Sequence, residues 1–61
     1  MKPTCKLTGT DGNVFSIIGK VSGCLKRAKM NAEAEEFTNQ AFQCASYDEV
    51  LRLCMKYVEV E

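Results

Sequence analysis

The sequence predicts an α+β domain: a three-helix core with a small two-stranded sheet formed by the N- and C-terminal segments, in the order strand, helix, helix, helix, strand. An all-α three-helix bundle is the alternative. Three observations carry the prediction. Residues 14 to 29 hold apolar side chains at helical spacing, Ser46-Tyr47-Asp48-Glu49 has the form of a helix-starting capping box, and both ends of the chain alternate with the period of a strand.

At the N-terminal end, Thr4 to Thr8 places Cys5 and Leu7 on one face and Thr4, Lys6 and Thr8 on the other. Gly9-Thr10-Asp11-Gly12-Asn13 then supplies turn formers, with glycines able to take positive φ and Asn13 suited to cap a helix. The first helix should run from Val14 to about Lys29, since Val14, Ile17, Ile18, Val21, Cys24, Leu25 and Ala28 form one stripe. Lys26, Arg27 and Lys29 suit its negative C-terminal end.

Asn31 is the expected cap of a second helix, with Glu33, Glu35 and Glu36 near its positive end. Its inner face is Ala34, Phe37, Ala41 and either Phe42 or Cys44, ending near Ala45. Ser46 opens the third helix, the serine hydroxyl meeting the amide three residues on and Glu49 reaching back to the cap amide. Tyr47, Val50, Leu51, Cys54 and Val58 are its expected inner face, after which Tyr57 to Glu61 alternates as a strand. A short strand left unpaired presents open backbone groups, and the other end of the chain is its one candidate partner.

The 61 residues make one domain, 1–61, whose small size demands that nearly every apolar residue join the core. With 46% hydrophobic and 26% charged residues, the composition is that of a globular chain. Eight basic and eight acidic residues cancel, so no long-range field gathers polyanions. Met-Lys-Pro-Thr-Cys-Lys lacks the apolar run of a signal peptide and no stretch approaches the length of a membrane span; a cytoplasmic protein without membrane contact is expected.

Cys5, Cys24, Cys44 and Cys54 lie 19, 20 and 10 positions apart, without a close pair and without any histidine in the chain. That spacing argues against a structural metal site. Each cysteine falls where its element calls for a small apolar group, so the expectation is four reduced, free thiols in or beside the core, with Cys44 closest to the surface. No cofactor is implied. Without histidine neither a serine nor a cysteine nucleophile has its usual base, and the acidic pairs Glu35-Glu36 and Asp48-Glu49 are accounted for by helix first turns; the chain is expected not to be an enzyme. The Gly9 to Gly12 turn lacks the lysine and spacing of a phosphate-binding loop.

On the first helix, Phe15, Gly19, Ser22 and Gly23 cluster away from the core stripe. Two glycines inside a helix cost about 1 kcal/mol each relative to alanine and ask for a reason. Either another part of the chain covers this strip or a partner docks there, a second copy or a different protein. Lys20, Lys26, Arg27 and Lys29 would be the contacts of a nucleic-acid-binding alternative, although they spread widely around the helix.

Lys6-Leu7-x-Gly9-x-Asp11-Gly12-Asn13, Phe15-x-Ile17-Ile18-Gly19 and Met55-Lys56-x-Val58-Glu59-Val60 together give a chain that resembles small uncharacterised proteins encoded by bacteriophages and integrated mobile elements of bacteria. The resemblance implies a bacterial or phage cytosolic origin and an accessory or regulatory role. Function is thus expected to be that of a non-enzymatic interaction or accessory module, with a small nucleic-acid-binding or transcription-accessory protein as the alternative.

Overall fold

A computed structural model describes residues 2–7 and 12–61. Strand β1 (Thr4–Cys5) is followed by α1 (Val14–Arg27), α2 (Asn31–Ala41), α3 (Tyr47–Tyr57) and strand β2 (Glu59–Val60). The element order is the predicted one, and the two ends of the chain do pair. They pair in parallel, Thr4 opposite Glu59 and Cys5 opposite Val60. A parallel pair needs a long crossover between its strands, and here the crossover is the whole helical core. Backbone hydrogen bonds from Glu59 N to Pro3 O at 2.8 Å, Glu61 N to Cys5 O at 2.9 Å and Leu7 N to Glu61 O at 2.9 Å carry the ladder beyond the two strand residues. The expected strand end at Thr8 and the turn residues Gly9, Thr10 and Asp11 lie outside the described residues; Gly12, with φ 81, has the positive φ expected of that turn.

Asn13 caps α1 as its side-chain oxygen accepts from Phe15 N at 2.8 Å. The helix stops at Arg27, two residues short of the predicted end, because Lys29 turns into the left-handed region at φ 62. Met30 N then donates to Leu25 O at 2.9 Å and Lys29 N to Lys26 O at 3.0 Å. These paired bonds are those of a Schellman termination, in which the left-handed position is usually glycine. Lysine there carries a penalty of about 1 kcal/mol. Lys29→Gly is accordingly expected to raise stability by about 1 kcal/mol, measurable as a higher urea midpoint; an unchanged or lower midpoint would show that the lysine side chain offsets its backbone strain.

The same turn corrects the start of α2. Asn31 is its first residue rather than its cap; Met30 holds the cap position without a side-chain hydrogen bond, its carbonyl accepting from Ala34 N at 2.9 Å. Once the left-handed residue has reversed the chain, α2 begins immediately and leaves no position for a capping side chain. At its other end α2 stops at Ala41 instead of near Ala45, and residues 42 to 45 form a turn with Gln43 N to Gln40 O and Cys44 N to Ala41 O bonds. Ser46 does cap α3, accepting from Glu49 N at 3.2 Å, but the Glu49 carboxylate accepts from Ala45 N and not from the cap amide.

The core consists of Cys5, Ile17, Ile18, Val21, Cys24, Leu25, Ala34, Phe37, Ala41, Val50, Leu53, Cys54 and Val58, with no buried polar or charged side chain among the described residues. Phe37 is its largest fully buried member and forms a T-shaped pair with the Tyr57 ring, their centroids 5.5 Å apart. The buried face of α3 extends further round than the predicted stripe. Leu53 is buried, Leu51 only half-buried, and Tyr47 exposed, since α3 packs on both α1 and α2.

The cysteines need the largest correction. Cys5 and Cys24 form a disulfide, their Cα atoms 5.9 Å apart, while Cys44 and Cys54 are free thiols. Placing Cys5 on the inner face of β1 and Cys24 on the inner face of α1 was right, and it is this shared facing that brings the two sulfurs together. The bond ties the N-terminal strand, and through it the sheet, to the longest helix.

Candidate interaction surface

Three helix ends converge on one side of the molecule. The Asn13 cap starts α1 and sends Phe15 outward, the early stop of α2 leaves Phe42 as its C-cap, and the Ser46 cap starts α3 with Tyr47. Phe15, Phe42 and Tyr47 are 64%, 61% and 43% exposed, and the Phe15 and Phe42 rings lie 6.0 Å apart in a tilted pair. Together with the buried residues Ile18, Ala41 and Val50 they line an open groove of about 430 Å³, and among the described residues no charged side chain lines it. Exposed aromatic side chains gathered in one concavity expose apolar area that a solvated face does not require.

Of the sequence-selected strip, the groove takes in Phe15 alone. Gly19 is exposed, and a Cβ there would meet nothing within 4 Å. Gly23 lies beneath its own helix's Arg27, whose Nη1 is 3.7 Å from where a Cβ would be. Ser22 faces a separate, polar groove between α1 and α2 shared with Lys26, Glu35 and Thr38. Among the candidate nucleic-acid contacts, Lys20, Lys26, Arg27 and Lys29 are all exposed, but Lys26 shares that polar groove with Glu35, and Arg27 Nη2 donates to Cys24 Sγ at 3.4 Å.

Periodicity places Tyr47 inward and leaves Phe42 and Cys44 as alternatives for the inner face of α2, whereas Phe42 and Tyr47 are both exposed. The signal that could have placed them outward was the Ser46 cap, because a helix starting at 47 requires the preceding one to end several residues earlier. Cys44, not Phe42, is the residue of that pair that packs against the core, half-buried and with its thiol donating to Gln40 O at 3.5 Å.

Burial pushes the Cys54 thiol up to about 11 from an ordinary 9.0, with the Cys44 thiol beside it adding to the rise. Burial also raises the Tyr57 hydroxyl, as does Glu36, whose carboxylate accepts the hydroxyl proton; Gln40 donates to the same oxygen at 3.1 Å. Both groups ionise in the unfolded chain before they do in the fold, so the unfolded state holds fewer protons and stability falls as pH rises above about 9. The urea midpoint should therefore decline between about pH 9 and 11, less steeply in Cys54→Ala; parallel profiles for the two proteins would remove Cys54 as a source.

Among the described residues no helix is long and apolar enough to cross a membrane, and no group of three or more potential ligands could hold a metal ion. No protein-family model matches the sequence, and neither the curated proteins nor the solved structures yield a match.

Proposed function

We propose that this chain is a non-enzymatic protein-interaction module that seats the apolar face of a short helix or peptide from a protein partner in the groove rimmed by Phe15, Phe42 and Tyr47. The observation that carries the reading is that groove, uncharged among the described residues, with its two adjacent, largely exposed phenylalanines. About 430 Å³ accommodates two bulky side chains, the size of the anchor pair that an amphipathic segment presents one turn apart. A small polar ligand is a poorer fit, since no charged group among the described residues lines the groove and the Ser46 hydroxyl is already engaged as a helix cap.

A second copy of the chain is also a poorer fit. A stable dimer buries roughly 800 Å² per partner, about a fifth of the 4094 Å² surface of this molecule. The other large exposed apolar residues among those described, Met55 and Val60, are not among the residues lining the groove. The cytosolic, phage or mobile-element setting belongs to the same reading and is supported by the sequence motifs that resemble such proteins.

The test pairs wild type with Phe15→Asp/Phe42→Asp, both side chains being exposed enough that the fold should tolerate the change. A partner captured by wild type and then purified should bind the double variant at least about 100-fold more weakly, as expected when two anchor residues are lost. Equal binding by both proteins would sink the proposal. A concentration-dependent doubling of mass that the double variant abolishes would replace the heterologous partner with a second copy.

A further inference from the structure

The surroundings of the Cys5–Cys24 pair differ at its two sulfurs. Cys5 is sealed at 1% exposure, whereas Cys24 retains 7% and receives the Arg27 guanidinium at 3.4 Å. Lys20, one turn before Cys24 on α1, is also exposed. A guanidinium against a sulfur favours negative charge on it and attracts an incoming anionic thiolate. The fold also has a place for the other sulfur once the bond is open: Cys5 Sγ lies 3.7 Å from Lys20 O, a carbonyl to which only a reduced thiol can donate.

We propose that Cys5 and Cys24 form a reversible thiol–disulfide couple in which Cys24 is the exchanging sulfur toward small anionic thiols and disulfides of the glutathione class, with Arg27 as its positioning residue. In the oxidative direction the Cys24 thiolate attacks one sulfur of glutathione disulfide, forming a mixed disulfide on Cys24 and releasing one glutathione thiolate. Cys5 then loses its thiol proton to solvent and attacks Cys24 Sγ, releasing the second glutathione thiolate. The protein pair loses two electrons and glutathione disulfide gains them. Reduction retraces the route, glutathione thiolate entering at Cys24 and Cys5 leaving. The oxidised state fixes β1 to α1; the reduced state holds β1 through the Lys20 carbonyl and its pairing with β2. This inference is independent of the interaction groove.

The experiment uses the full chain in a Cys44→Ser background, so that the half-buried free thiol does not compete. Reduced protein is mixed with glutathione disulfide, quenched with acid at intervals and followed by intact mass and peptide mapping. A transient glutathione adduct on Cys24 that resolves into the Cys5–Cys24 disulfide is expected, and in Cys5→Ser the adduct should persist. Arg27→Gln should slow its formation about tenfold and Arg27→Lys should restore most of the rate, as expected of a charge acting on the sulfur. Should Cys5→Ser lose its helical signal, the wild-type time course and the Arg27 variants decide. An adduct appearing first on Cys5, an unchanged rate in Arg27→Gln, or a pair that millimolar glutathione opens only in denaturant would overturn the proposal.

Discussion

Phe37→Ala should leave most of the chain unfolded at 25 °C. The ring is fully buried in the core, on the inner face of α2 and in a T-shaped pair with the Tyr57 ring. Truncating a buried phenylalanine costs about 3–5 kcal/mol, part from lost transfer and part from the cavity left behind. A domain of this size has only a few kcal/mol in reserve. The helical circular dichroism signal should therefore be largely lost in Phe37→Ala and retained in Phe37→Leu, which keeps most of the volume. A folded Phe37→Ala protein would mean that the helices close over the gap.

Breaking the Cys5–Cys24 bond is the next largest expected effect. It closes a loop spanning 19 positions, and in the chain-entropy picture a loop of that length contributes about 3 kcal/mol by restricting the unfolded state. Reduction should lower the melting temperature on the order of 15 °C for a domain this small. Cys5→Ala/Cys24→Ala should melt lower still, since it also removes two buried sulfurs from the core. Scans with and without reductant, compared with the double variant, separate the cross-link from the packing. Coincident melting of the oxidised and reduced proteins would show that the denatured chain is already restricted over this loop.

The element order was legible because each helix carries its own boundary signal. Asn13 and Ser46 act as caps in the structure as the sequence has them, and both chain ends had to find a partner for their backbone groups. The direction of the pairing was not legible, because two residues per strand carry no preference for parallel or antiparallel. Nor was the disulfide. Periodicity placed Cys5 and Cys24 inward but says nothing of the 5.9 Å between their Cα atoms, which only the packing of β1 on α1 determines. Asn31 misled for a related reason: a capping residue is recognised by type, while the cap position here is fixed by the left-handed turn at Lys29, an unusual residue for that conformation. The candidate surface was half legible. Phe15 stood out from the core stripe, but Phe42 and Tyr47 sit at helix ends, where a shift of a few residues in the boundary changes which way a side chain faces.

The parallel pairing of the chain ends also determines how the molecule would resist force. Tension applied through the residues before β1 and after β2 pulls the two strands past one another along their length, so the bonds joining Pro3, Cys5 and Leu7 to Glu59 and Glu61 are loaded together instead of one at a time. Shearing of this kind meets a higher barrier than unzipping, and forced unfolding reports that barrier rather than equilibrium stability. Under oxidising conditions the covalent link at Cys5 would stop extension short by the loop it closes. Pulled between its termini, the domain should yield abruptly, and at two different extended lengths depending on its oxidation state.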